Sequence, residues 1–208
     1  MYAKRKLKFW LEKIYLQWKG LGRIKFIPFI ANYLVLPIFV LVCARTSIIY
    51  DEGYFFSQYG TFFIPFMSVW WIIMVLQEYV EGTGSEVIRM YDRIKLPEVI
   101  VYFLSYLISM LPLFIIANRI WNTNKDEIIL MVMQCIFYLG VAYFMIFSFS
   151  SILAAIIPIL IYTLFSMSII GDVIEKFQIN DFRNSLGYII VGMILIVLGC
   201  IEKERRQG

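Results

Sequence analysis

The chain has 208 residues, of which 61% are hydrophobic and 16% charged, with a formal net charge of +4 and no histidine. A soluble domain carries about 45–50% apolar and about 25% charged residues, so a soluble catalytic domain is excluded and there is room for several membrane spans and little else. The missing histidine excludes Ser-His and Cys-His nucleophile pairs and His-based metal sites.

The first element is expected at residues 4–22. Leu7, Trp10, Leu11, Ile14, Tyr15, Trp18 and Leu21 recur at helical spacing on one face. Lys4, Arg5, Lys8, Glu12, Lys13, Gln17 and Lys19 fill the other sides. A basic amphipathic helix with tryptophan on its apolar face lies in the membrane interface. Leu7, Trp10, Leu11, Ile14 and Trp18 are therefore the expected interfacial residues. Gly20 and Gly22 permit the turn into the first span. No short apolar run with a small-residue cleavage site follows the basic start, so no cleaved signal peptide is expected.

Windows of about 20 apolar residues give six candidate spans, at 26–44, 61–80, 99–117, 128–147, 148–170 and 185–201. The fourth and fifth come from one stretch, residues 128–171, which is 44 residues long without a Lys, Arg, Asp or Glu. As one helix it would reach roughly 66 Å at ~1.5 Å per residue, against a bilayer core of about 30 Å. It must turn, and residues 147–151 are the expected place. Gly187, Gly192 and Gly199 let the short last span approach a neighbour closely. The fold class is thus an all-α polytopic membrane protein, a single transmembrane domain over 1–208.

Placing the N-terminus inside puts 14 of the 19 basic residues on inner segments and leaves Arg45, Arg119, Lys125, Lys176 and Arg183 outside. The positive-inside rule then puts both termini in the cytoplasm. The net charge follows from this asymmetry and not from nucleic-acid binding; no nucleic acid is expected as a partner.

Two further segments do not span. Residues 81–97 leave the second span with Glu81-Gly82 and open a short cytoplasmic helix, 84–96, with Ser85 as its cap and Glu86 in the first turn. Val87, Ile88, Met90, Tyr91 and Ile94 give it an apolar flank. Residues 172–184 mix apolar and charged side chains and are expected to lie at, or fold back into, the outer interface.

Within spans, only Glu78 is ionisable, close to the inner end. This argues against a carrier with a carboxylate relay. Asn32, Ser68, Ser105, Ser109, Gln134, Thr163, Ser166 and Ser168 serve interhelical hydrogen bonds or a weakly polar translocation surface. Cys43, Cys135 and Cys200 fall in apolar runs as small hydrophobes, without metal spacing. The pairs Asp51-Glu52 and Asp126-Glu127 read as solvated acids beside spans. No catalytic residue and no metal site is expected. No Gly-x-x-x-x-Gly-Lys-Ser/Thr occurs, so the chain is expected to be no enzyme and to bind no cofactor itself.

An amphipathic arm before six spans, Glu81-Gly82 and Glu86 opening an inner helix after the second span, and a mixed excursion before the last resemble the ABC-2 type permeases. These are the membrane subunits of bacterial ATP-driven exporters. The resemblance covers nearly the whole chain as architecture, while the Glu-Gly…Glu stretch alone is motif-like. It implies that the arm is a connecting helix. It also implies that 84–96 is a coupling helix docking in an ATPase groove, with Glu81, Gly82, Glu86, Val87, Met90, Tyr91 and Ile94 at the contact. ATP and Mg would be held by that separate ABC ATPase subunit. A second permease copy or paralogue would complete the unit in the bacterial cytoplasmic membrane. The cargo would be a peptide, toxin, drug or lipid-like substrate. The outer region before the last span is shorter than in larger members, which fits the small lantibiotic-immunity-like subgroup. The rival reading is the substrate-binding membrane subunit of a vitamin importer, which needs neither arm nor inner helix. An intramembrane enzyme is a third, opposed by the charge-free spans.

Overall fold

A computed structural model describes residues 2–47, 51–81, 96–167 and 182–207. Among these residues the regular structure is helical, with no strand. The elements are α1 (Tyr2–Gly20), α2 (Ile27–Ile30), α3 (Leu36–Thr46), α4 (Glu52–Ser68), α5 (Trp70–Val80), α6 (Leu96–Ile120), α7 (Lys125–Phe149), α8 (Leu153–Met167) and α9 (Phe182–Gln207).

The first apolar helix, Ile24–Thr46, is a composite. A 3-10 turn precedes α2, and a π turn over Ala31–Val35 joins α2 to α3. Proline explains the joint. Pro37 has no N–H for the carbonyl of Tyr33, and its ring crowds that carbonyl in α geometry. Widening the turn relieves the clash and is a local cost of the kind that marks functional segments.

α4 begins at Glu52, nine positions before the expected window at 61–80. Hydropathy reads Ser57, Gln58, Tyr59 and Gly60 as a loop. Two local facts outweigh it. The Asp51 side chain accepts from the backbone N–H of Tyr54 at 2.9 Å, an N-cap, and Glu52 faces the positive end of the helix. Gly53 lies directly under the carbonyl of Trp121, where a Cβ would come within 2.2 Å of the oxygen. Asn124 caps α7 in the same way, accepting from the N–H of Asp126, with Asp126 and Glu127 in the first turn. The two acidic pairs, expected as solvated acids, thus start helices.

The core lies between α4, α5, α6 and α7. Phe56, Ile64, Leu76, Tyr106, Met110, Met131 and Ile146 are fully buried there. α7 ends at Ser150, which turns in the left-handed region with φ 51°, so the turn expected at 147–151 starts later and Ser148 and Phe149 stay helical. α9 lies on α7 through glycine. A Cβ on Gly140 would come 2.4 Å from the Gly192 carbonyl oxygen, one on Gly192 would come 2.8 Å from the Ile136 carbonyl, and one on Gly199 would meet the Tyr143 ring. Gly187 has open space instead.

Outward faces are apolar. On α6, Ile100, Leu104, Ile108, Leu111 and Ile115 form one exposed stripe, and Ile190, Met193, Ile194, Val197 and Ile201 do so on α9. In water such continuous faces would aggregate; in a bilayer they are ordinary. Five helices, Ile24–Thr46, Glu52–Gln77, Leu96–Ile120, Lys125–Phe149 and Leu186–Arg205, are long and apolar enough to cross a membrane. The molecule is a helical membrane protein. α8 is described for 15 residues, too few for that criterion.

Candidate functional site

The elements sort to two ends of the bundle. One end gathers the arm α1, the end of α5, the start of α6, the α7–α8 turn and the end of α9. The other holds the start of α4 and the α6–α7 turn at Trp121–Asn124. Among the described residues, the arm's polar and charged contacts lie at the first end.

The arm does not merely rest beside the bundle. Lys13 Nζ donates to Glu98 Oε1 at 2.9 Å, and Glu98 is 2% exposed. Gln17 Nε2 donates to the Tyr79 hydroxyl at 3.0 Å, while the Tyr102 hydroxyl donates to Gln17 Oε1 at 3.1 Å and also lies 3.2 Å from the Ile14 carbonyl. Trp18 meets the Trp71 ring edge-on at 4.6 Å and stacks near Tyr102. Trp71 Nε1 donates to the Lys25 carbonyl, and the Lys25 ammonium sits over the Trp18 and Phe26 rings. The arm therefore touches α5 and α6 together.

This rotates the expected stripe. Ile14 and Trp18 pack against the core, but Leu11 and Tyr15 are exposed. Lys13 and Gln17, placed by the sequence on the polar sides, face the bundle instead. They turn inward because α5 and α6 offer Glu98, Tyr79 and Tyr102 as partners, and a buried carboxylate requires a charged or hydrogen-bonded neighbour. The side chains of Leu7 and Trp10 lie outside the described residues.

Of the expected ATPase contacts, Glu81 is described. Its Oε1 accepts from Ser151 Oγ at 2.9 Å and from the Ile152 backbone N–H at 2.7 Å. It thus caps the start of α8, which the anion–helix N-terminus attraction favours. Gly82, Glu86, Val87, Met90, Tyr91 and Ile94, like most of 84–96 and 172–184, lie outside the described residues. At α9's end, Lys203 sits over the Phe147 ring at 5.7 Å and within electrostatic reach of Glu98 and Lys13.

The sequence reading missed Gln17, Tyr79, Glu98 and Tyr102 as a set. Glu98 follows Pro97 at the edge of an apolar window, which hides it among loop charges. Its signal was available: at one turn's spacing, Glu98 and Tyr102 share a helix face.

Deeper in the bundle, Asn32 Nδ2 donates to the Tyr106 hydroxyl at 2.8 Å, and that hydroxyl donates to the Ile64 carbonyl at 2.7 Å. Tyr106 thereby joins the π turn to α4 beside the break at Val69. Tyr138 and Thr163 share a hydrogen bond between α7 and α8. Replacing Tyr106 with phenylalanine leaves Asn32 Nδ2 and the Ile64 carbonyl buried without their partner. An orphaned buried group costs about 1–3 kcal/mol, whereas an average interhelical bond in a membrane contributes only about 0.6 kcal/mol. The larger figure applies because both partners are trapped. A clear drop in the thermal midpoint in detergent is expected; an unchanged midpoint would show that the hydroxyl bridges nothing of consequence.

Among the described residues, no group of three or more His, Cys, Asp or Glu is placed to hold a metal ion. Among the described residues, those at this end grip one another across helices. No protein-family model, curated protein or solved structure matches the chain.

Proposed function

We propose that the chain is the membrane-spanning permease subunit of an ABC exporter of the ABC-2 type. The observation that carries the reading is the arm gripping α5 and α6 together, the two helices that frame the inner connection 81–96. An importer's substrate-binding subunit has no use for that arrangement. A subunit that must receive force from a separate ATPase needs it, because a loop between two unsecured helix ends would yield before the bundle moved. The tight α7–α8 turn at Ser150 offers no comparable docking element.

In this reading the chain crosses the membrane six times, with α8 and the residues after it forming the fifth span. Both termini are cytoplasmic, as the 14-to-5 split of basic residues favours. The arm lies in the inner interface, its exposed Leu11, Tyr15 and Leu16 against lipid. Residues 84–96 enter an ATPase groove, ATP and Mg belong to that subunit, and a second permease copy or paralogue completes the unit. The cargo is a peptide, toxin, drug or lipid-like molecule.

Affinity capture of the tagged chain from its native membrane in mild detergent should recover an ABC ATPase. Val87→Ala with Tyr91→Ala should weaken that capture, since truncating an interface anchor costs about 2 kcal/mol or more, roughly 30-fold in affinity. A double variant that keeps its ATPase at the wild-type level would remove the main support for the reading.

A further inference from the structure

Gln17 uses both ends of its amide on two different helices. Nε2 reaches Tyr79 near the end of α5, and Oε1 receives Tyr102 nearly two turns into α6. The arm's second tie to α6 is Lys13 on Glu98, and its second contact with α5 is Trp18 on Trp71. Each helix flanking the inner connection is thus held to the arm by one bond to Gln17 and one neighbouring contact. A simple lipid anchor needs none of these.

We propose that Gln17 is a positioning residue. It staples the facing ends of α5 and α6 at a fixed spacing, so that force arriving between them moves the bundle as a body. The transmission half of this claim rests on the ATPase-driven reading; the staple half does not. The chemistry suits the task. An amide is at once donor and acceptor, so a single uncharged side chain satisfies two tyrosine hydroxyls without adding charge beside Lys13, Glu98 and Lys203. Methionine fills similar space and offers neither bond. Glutamate fills the same space and keeps the acceptor for Tyr102, but it has no donor for Tyr79 and adds a charge beside Glu98.

The test uses the full chain, with Cys43, Cys135 and Cys200 replaced by alanine, in nanodiscs. Spin labels at Gln77→Cys and Ile100→Cys report the spacing of α5 and α6. A second pair at Tyr54→Cys and Ile120→Cys reports the opposite end of the bundle. Gln17→Met is expected to broaden the first distance distribution, and Gln17→Glu, which keeps the bond to α6 alone, to broaden it as well. With the ATPase bound, Mg-ATP and vanadate should shift the second distance in the wild type. In Gln17→Met, hydrolysis should continue while that shift is lost. A wild-type spacing in Gln17→Met overturns the staple. A broadened spacing with an unchanged vanadate response overturns the transmission claim. If the wild type binds no ATPase, the functional reading and the transmission claim fall together, and the first label pair alone still decides the staple.

Discussion

Replacing Gly140 with leucine is expected to drive α9 off the bundle. The atoms a side chain would meet are backbone: the Gly192 carbonyl oxygen at 2.4 Å, its Cα at 2.9 Å and its carbonyl carbon at 3.0 Å. No rotamer change can clear them, so the whole helix must shift. Overpacking a core ordinarily costs about 1–3 kcal/mol, occasionally more, and a displaced helix belongs at or beyond the top of that range. The displaced contacts include Gly199 against Tyr143 and the Tyr162–Tyr188 hydrogen bond between α8 and α9. In detergent the thermal midpoint should fall by many degrees. Gly187→Ala is the control. Nothing lies within 4 Å of that site, and alanine is favoured over glycine in a helix by about 1 kcal/mol, so the midpoint should hold or rise. Equal losses at the two glycines would disprove the close approach.

Glu98→Ala should release the arm. The pair it breaks is largely buried, at 13% exposure for Lys13 and 2% for Glu98. Removing one partner of a buried pair costs about 3–5 kcal/mol because the other charge is left uncompensated. The change also removes a carboxylate that acts on both Lys13 and Lys203. The cheapest escape is for the arm to lift, which gives up the Gln17 and Trp18 contacts too. Hydrogen exchange across residues 13–20 should then speed up by orders of magnitude while α7 stays protected. Lys13→Met with Glu98→Met should recover much of the loss, since apolar replacement of a whole buried pair is often neutral or better. A slow-exchanging arm in Glu98→Ala would show that the ion pair does not hold it.

The five long apolar helices were legible because hydropathy alone marks twenty-residue apolar runs, and Gly192 and Gly199 announced a close contact. Gly140, the other half of that contact, was not legible: a glycine inside a long uncharged stretch carries no label for the helix it faces. The start of α4 was hidden because the polar run from Ser57 to Gly60 outweighs an Asp51 cap when only hydropathy is averaged. The arm's helical period was readable, but its rotation was not. An amphipathic stripe reports where apolar side chains are, and Lys13 and Gln17 turn against it only because Glu98, Tyr79 and Tyr102 arrive from more than sixty residues away. Glu81 has partners that no local pattern encodes: the Ser151 hydroxyl and the Ile152 N–H that it accepts from belong to a turn 70 residues on.

The glycine contact between α7 and α9 also sets an order of events during biosynthesis. α7 leaves the ribosome some forty residues ahead of the helix that covers Gly140. Until residues 182–207 follow, the groove over Ile136, Phe137 and Gly140 stands open to acyl chains or to the insertion machinery. A chain stalled after Met167 would present that groove with no occupant. That bare stretch of backbone is the physical difference between an unfinished molecule and a finished one.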